Sequence, residues 1–188
     1  MKYALLFLQC LCLTAQESTP AEKKIVEYIK ICDNSADLKK IEIFKEKFPA
    51  IFRFFPDINP INPDNKPGFS SGFSKIRLHP LEKKIKIHNG VDITAKKNTP
   101  VYASADGTVL KSQFFNGKAG HSVEIIHNYG FKTKYFHLSI FIVKNGERVR
   151  KGQIIGFLGT SGASTGPHLH YELIKNNIHL NPVNFLHK

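Results

Sequence analysis

The clearest indication of the fold lies at residues 131–137, FKTKYFH, where the residue type alternates along the chain. In a β-strand successive side chains point to opposite faces, so this period of two is typical of a strand. We predict one face made of Phe131, Thr133, Tyr135 and His137, and an opposite face made of Lys132, Lys134 and Phe136. Just upstream, the same alternation is found at Val123, Ile125 and His127. Both stretches therefore predict strands.

From about Phe69 onward, the chain consists of short runs rich in β-branched and aromatic residues, separated by turn signals. These signals are Asn89-Gly90, Asp106-Gly107, Asn116-Gly117, Asn128-Tyr129-Gly130 and Asn145-Gly146. No stretch with a helical period follows residue 70. We therefore predict a mainly β protein, with an antiparallel β-sheet domain over residues 69–188.

Residues 16–55 have a helical pattern and predict a small α-helical segment in front of that domain. Ile25, Ile29 and Cys32 recur at three- and four-residue spacing, which predicts one apolar helix face. The Asp-Asn-Ser triplet that follows breaks this helix.

A second helix is predicted to begin at Ser35 or Asp37, either of which can cap it, and to run to about Phe48.

Residues 56–68 are rich in proline, Asn and Asp and have no periodicity, which predicts a linker or a groove-covering segment. The cluster from Ile51 to Phe55 just before it is too apolar to remain in water alone. We expect Pro49 to Pro67 either to lie across a groove of the β domain and restrain it, or to dock to a partner protein.

The first fifteen residues have the features of a secretory signal peptide: Lys2, an apolar stretch over residues 4–13, and the small residue Ala15. The stretch is too short to cross a bilayer of about 30 Å. A buried N-terminal strand or helix is the alternative. We predict residues 1–15 as a signal peptide, location in the periplasm or cell envelope, and no membrane span in the mature chain. Cys32 would then be its only cysteine, which excludes an internal disulfide.

The formal net charge of +12 favours an anionic partner through long-range attraction. Nucleic acid, anionic lipid and the acidic cell wall all satisfy this condition. A nucleic-acid binder would rest on charge alone, since the sequence contains no recognition motif. For an exported protein the cell wall is the favoured partner.

Two short motifs offer ligands for a metal. His168 and His170 are two residues apart in a predicted strand, so their imidazoles share a face. His88 and Asp92 supply one nitrogen and one oxygen ligand, with Gly90 between them allowing a tight bend. Catalytic zinc takes three such protein ligands and one water, whereas a structural site takes four protein ligands. Spacing leaves open whether one or both of the later histidines bind.

Beyond these motifs, the chain from about Ser70 to the C-terminus resembles the lysostaphin-like (LytM-type) zinc metallopeptidases of peptidoglycan. The order and the spacing of the matching stretches agree throughout. They are residues 88–92 (HNGVD), 99–103 (TPVYA), 105–107 (ADG), 135–139 (YFHLS), 149–153 (VRKGQ) and 161–170 (SGASTGPHLH).

The resemblance implies the role of five residues. His88, Asp92 and His170 become the ligands of one Zn²⁺ per chain, and His137 and His168 become the catalytic pair beside it. It implies a zinc metallopeptidase that hydrolyses amide bonds in stem peptides or cross-bridges, more readily as an endopeptidase than as a carboxypeptidase, with a zinc-activated water as nucleophile. Which histidine is the general base stays open.

The sequence departs from the family pattern in one place, and this departure leaves the metal motifs intact. The family often has Phe-Gly-x-Arg before its His-Pro pair, whereas residues 73–80 read FSKIRLHP and lack the glycine. The alternative function is a non-catalytic LytM-type module that binds cell wall or regulates a partner hydrolase. Such modules typically lose metal or catalytic histidines, and this chain keeps all of them.

Overall fold

The computed structural model of the protein describes residues 18–78, 85–114 and 117–186. The predicted signal peptide and His79-Pro80 lie outside the described residues. Three helices come first: α1 (Pro20–Ile31), α2 (Ser35–Lys40) and the single turn α3 (Pro49–Phe52). None of the described helices is long and apolar enough to cross a membrane.

Helix α1 begins and ends where its sequence predicts. The Thr19 side chain accepts a hydrogen bond from the Glu22 amide while Glu22 bonds back to the Thr19 amide, which satisfies two amides that a helix start otherwise leaves unpaired. The predicted apolar face is confirmed, because Ile25, Ile29 and Cys32 are all buried.

The second predicted helix is wrong in length and in its cap. Asn34, rather than Ser35 or Asp37, accepts the capping hydrogen bond, which comes from the Asp37 amide. Helix α2 ends at Lys40, and a 3-10 turn over Glu42–Phe44 continues the chain. An apolar stripe alone could not predict this break in a regular helix.

The rest of the described chain is built from strands, as predicted. They are β1 (Gly68–Ser71), β2 (Ser74–Leu78), β3 (Ile85–His88), β4 (Val91–Thr94), β5 (Pro100–Tyr102), β6 (Gly107–Gln113), β7 (His121–Ile126), β8 (Phe131–Phe141), β9 (Arg148–Val149), β10 (Ile154–Leu158), β11 (His168–Lys175) and β12 (Ile178–Leu180).

These strands form one large sheet and a separate hairpin of β2 and β3. The main path of the sheet runs β1-β4-β11-β8-β7-β6-β9, with β12 beside β11 and with β10 between β5 and the end of β8. All pairs are antiparallel, which confirms the predicted fold class. The centre of the sheet is therefore formed by β11 and β8.

One face of this sheet carries the main hydrophobic core. Ile125, Tyr135 and Tyr171 are fully buried in it, and the rings of Tyr135 and Tyr171 lie 5.3 Å apart. Because side chains alternate along each strand, the residues between these positions point to the opposite face. That opposite face bears the candidate site.

A second apolar cluster joins the helices to the sheet. The ring of Phe55 lies 5.0 Å from Phe131 and 5.9 Å from Phe185, and all three side chains are buried. Ile29 and Leu38 belong to the same cluster. The helical segment thus shares a core with the first residues of β8 and does not stand apart from the β domain.

The segment around Phe55 is also held by charge. Asp57 is fully buried and lies 2.6 Å from the ammonium group of Lys45, and it also pairs with Lys151. Further along, Ile61 is part of the main core, and the Pro60 carbonyl accepts a hydrogen bond from the Tyr102 amide. These contacts fix residues 55–61 against the sheet.

The apolar cluster from Ile51 to Phe55 lies away from the metal motifs, and the groove-covering role of Pro49 to Pro67 stays a prediction. Ile51 and Phe55 pack at the Phe131 end of β8, whereas His137 lies six residues further along that strand, about 20 Å away. The burial of the apolar cluster therefore results from packing into the core.

Candidate metal centre and active site

Strand register brings the metal motifs together. Asp92 of β4 and His170 of β11 are direct partners in the antiparallel ladder, so their side chains share a face. His88 is the last residue of β3, and the turn that follows leads into β4. At Gly90 this turn approaches β11 so closely that a Cβ atom would lie 2.3 Å from the Tyr171 carbonyl oxygen. The glycine is thus required by close packing, and its φ is not positive.

Three potential ligand atoms face one another in this arrangement. His88 Nε2 lies 3.1 Å from Asp92 Oδ1 and 3.0 Å from His170 Nδ1, and Asp92 Oδ1 lies 2.8 Å from His170 Nδ1. His88 and Asp92 are buried, and His170 is partly buried. The structure therefore brings together the three side chains that the sequence singles out.

Neighbouring groups fix which ring nitrogen faces this point. His88 Nδ1 lies 2.7 Å from the Gly72 carbonyl oxygen, to which it donates its proton. His170 Nε2 lies 3.3 Å from Glu172 Oε1 and donates to that carboxylate. With these N–H groups donating outward, each ring turns a lone pair inward when it is neutral. Two such lone pairs and the Asp92 carboxylate form the donor set of a cation site.

The pKa values around His170 agree with a preference for positive charge. Burial acts to raise the pKa of Asp92 and of Glu172, but the hydrogen bonds and charge of the neighbouring imidazoles prevail. The pKa of Asp92 is held well below its usual range, and that of Glu172, which also faces Lys134, falls to about 2. Burial acts to lower the pKa of His170, yet the two carboxylates raise it above its ordinary value.

His137 reaches the same site through an irregularity in β8. The register between β7 and β8 shifts between His121 and Val123. Their partners in β8 are Leu138 and Tyr135, so the shift lies beside His137. His137 has a φ of 62°, a conformation that costs a non-glycine residue free energy and is concentrated at functional sites. Its ring centroid lies 4.7 Å from that of His168. The prediction that His137 shares a face with Tyr135 is therefore wrong.

The rings of His137 and His168 are held in the same way. His137 Nδ1 donates to the Ser161 carbonyl oxygen over 2.8 Å, and His168 Nδ1 donates to that of Gly166 over 2.9 Å. In both rings Nε2 is thus turned away from the carbonyl, and His168 Nε2 lies 3.9 Å from Asp92 Oδ1. Burial lowers the pKa of His137 to about 4.

The loop that carries Ser161 is positioned by two glycines in close contact. Gly120 has a φ of 64° and Gly162 a φ of 74°, and a Cβ atom on Gly162 would lie 2.4 Å from the Gly120 amide nitrogen. Ser161 Oγ also accepts a hydrogen bond from the His121 amide. The carbonyl that orients His137 therefore depends on backbone packing that side-chain patterns do not reveal.

Glu172 is the residue that the sequence reasoning missed. Besides His170, its carboxylate contacts His179 Nε2 at 3.2 Å and the Lys134 ammonium group at 3.3 Å. A signal was available, because His168, His170 and Glu172 alternate on one strand and so share a face.

The family match falls on the part of the chain that carries this site. The model of peptidase family M23 matches residues 86–182. The peptidoglycan DD-endopeptidase ShyC of Vibrio cholerae is 50% identical over 113 residues, which are 60% of this chain and 26% of ShyC. The chain thus spans about a quarter of that relative.

Solved structures agree with this match. A zinc-containing peptidase from Vibrio cholerae is 35% identical with a TM-score of 0.61, over 67% of this chain and 39% of that one. The catalytic domain of lysostaphin from Staphylococcus simulans is 32% identical with a TM-score of 0.57, over 64% and 92%. The predicted resemblance is confirmed, and the chain belongs to peptidase family M23.

Proposed function

We propose that the protein is a zinc metallopeptidase that hydrolyses amide bonds in the stem peptides or cross-bridges of peptidoglycan. The observation that carries this proposal is the convergence of three ligand atoms beside two imidazoles that are oriented by backbone carbonyls. The name of ShyC, a peptidoglycan DD-endopeptidase, favours an endopeptidase over a carboxypeptidase.

In this proposal His88, Asp92 and His170 hold one zinc ion per chain. Two imidazole nitrogens and one carboxylate oxygen are ligands that zinc prefers, and three protein ligands leave a coordination position for water. When bound, zinc supplies Lewis acidity and lowers the pKa of a coordinated water to near 7. Gly72 and Glu172 keep the two ligand rings in the tautomers that this requires.

His137 and His168 supply the proton transfers. With Nδ1 committed to a carbonyl, each ring offers Nε2 to the substrate side. One of them takes a proton as the amide carbonyl becomes tetrahedral and passes it to the departing amine, and the other, when protonated, donates a hydrogen bond to the developing oxyanion. Because the two rings are held in the same way, we assign the two roles to the pair and give neither role to one particular ring.

The alternative is a non-catalytic module that binds the wall or regulates a partner hydrolase. Retention of all five residues in one cluster favours the enzyme, because a binding module has no need of oriented histidines beside a metal site. We also place the protein in the periplasm or cell envelope, because the proposed substrate lies there.

Digestion of purified peptidoglycan tests the proposal. The protein loaded with zinc is incubated with insoluble peptidoglycan, with and without a chelator, and the released fragments are identified by mass spectrometry. We expect cross-linked dimers to be cut to monomers, and we expect the chelator to abolish this reaction.

His179→Gln is the matched control for His170→Ala, since His179 also contacts Glu172 but lies outside the ligand cluster. We expect His170→Ala to be inactive and His179→Gln to retain most of the activity. An unchanged fragment pattern with zinc-loaded wild-type protein would contradict the proposal.

A further inference from the structure

A concavity lies at the corner of the sheet that is far from the metal centre. It encloses about 690 Å³, the size of a small-molecule site. Three arginines line it, Arg53, Arg148 and Arg150, together with the apolar side chains of Phe54 and Ile126. We call this cavity the arginine pocket.

Most of its positive charge is uncompensated. Asp106 is the acidic residue in the lining, and its carboxylate already accepts hydrogen bonds from Arg53 Nε and from the Lys151 amide. Within the described part of the chain, neither the Arg148 nor the Arg150 guanidinium has a carboxylate partner. Two guanidinium groups at one concavity are suited to bind a carboxylate or a phosphate through paired hydrogen bonds.

The strand register places this pocket on the same face of the sheet as the metal centre. Arg148 is opposite Thr108, Thr108 is opposite Ile126, and Ile126 is opposite Lys132. Partners in a ladder share a face, and so do residues two apart in a strand, which leads from Lys132 to Phe136.

Phe136 is the partner of His170, and the two rings lie 5.5 Å apart. From His170 on β11, Arg148 on β9 is four strands away and about four residues along them, a distance of roughly 24 Å.

We propose that the arginine pocket is a second binding site for the wall polymer, holding a free carboxylate of a stem peptide while another peptide lies at the metal centre. This inference rests on the proposed function, which identifies the polymer. A polymer can span roughly 24 Å along one face, so a single strand of wall can contact both sites. The apolar lining accommodates the aliphatic part of the peptide that bears the carboxylate.

Binding to insoluble peptidoglycan in the presence of a chelator tests the inference without turnover. The variant Arg148→Gln/Arg150→Gln removes both unpaired guanidinium groups. Its control, Lys23→Gln/Lys24→Gln, removes two exposed charges from α1 and changes the net charge equally. We expect the arginine variant to raise the dissociation constant about tenfold, and the lysine variant by less than about twofold. Equal weakening by both variants would mean that net charge alone acts, and would overturn the proposal.

Two further arms identify the source of the anion. Wall whose carboxylates have been converted to amides should bind the wild-type protein and the arginine variant equally. Vesicles of phosphatidylglycerol should bind both proteins equally as well. If the arginine variant loses vesicle binding but binds wall like the wild type, the pocket is a site for lipid phosphate, and the proposal is wrong.

Failure of the pocket proposal can be distinguished from failure of the proposed function. Wild-type protein that digests wall, combined with an arginine variant that binds it with unchanged affinity, refutes the pocket alone. Wild-type protein that binds wall through these arginines but releases no fragments refutes the hydrolase and leaves the pocket standing.

Discussion

Glu172→Gln is the perturbation that most specifically probes how the metal centre is held together. The substitution keeps the size of the side chain and removes the charge that faces His170 Nε2 at 3.3 Å. Glu172 is only 7% exposed, so solvent screens this charge little. We therefore expect His170 to become a weaker ligand whose tautomer is less firmly set.

The expected magnitude follows from this position behind a single ligand. Loss of a carboxylate partner of a metal-binding histidine typically lowers metal affinity ten- to hundredfold. This corresponds to about 1.4–2.8 kcal/mol of binding free energy. We expect the value to lie in this range, because His88 and Asp92 remain in place.

Competition with a chromogenic chelator measures the zinc affinity of the wild type and of Glu172→Gln. His179→Gln is the control, because His179 touches the other oxygen of Glu172 and is expected to change zinc affinity less than about threefold. Thermal unfolding of the metal-free proteins checks that both variants are folded. If His170 is needed for zinc binding but Glu172→Gln binds zinc with the affinity of the wild type, the role of this carboxylate is refuted.

Three further predictions concern catalysis, pH and packing. His168→Ala should bind zinc like the wild type but lose about 10²- to 10⁴-fold in turnover, measured on purified wall; loss of zinc instead would make His168 a ligand. Burial lowers the pKa of His127 to about 4 from 6.5, so the unfolded chain binds a proton that the folded protein does not. The resulting stability is full above about pH 6.5 and is lost as the pH falls towards 4, by about 3 kcal/mol. His137 has the same shift, so denaturant titrations should find a loss in His127→Gln that is smaller by about 3 kcal/mol than in the wild type. An equal loss in both proteins would refute the assignment. Phe55→Ala should lower the free energy of unfolding by about 3–5 kcal/mol, because Phe55 is fully buried between α3 and β8; a loss below about 1 kcal/mol would mean that the helical segment is not part of the core.

The sequence predicts the fold class well because burial alternates along the first half of β8 and at the start of β11. In β8, Phe131, Thr133 and Tyr135 are buried where the period of two requires it. The same period brings His168 and His170 to one face. The ligand triplet itself depends on the pairing of Asp92 with His170, which spacing along one strand cannot supply. The resemblance to a known family provided what spacing left open.

The errors arise where local backbone geometry overrides the period. At His137 the ladder is irregular and φ is positive, so the side chain turns from the core face to the site. The alternation of residue types in FKTKYFH does not predict this change of face. In the helical segment, α2 ends at Lys40, and the apolar residues that were expected to continue it belong to a 3-10 turn.

The packing partner of the apolar cluster before the proline-rich stretch could not be predicted for a different reason. Hydrophobicity predicts that residues such as Phe55 are covered, but it does not identify what covers them. The partner is Phe131 at the start of β8, 76 positions later in the chain. Contacts at such separation are decided by the tertiary fold.

Anomalous diffraction at the zinc edge, from crystals of the zinc-loaded protein, tests the central claim most directly. We expect one strong peak per chain, within about 2.0–2.2 Å of His88 Nε2, an Asp92 carboxylate oxygen and His170 Nδ1, with a solvent oxygen in the remaining position. Absence of a peak between these three side chains, or a fourth permanent ligand from His168 or His137, would contradict a catalytic zinc site.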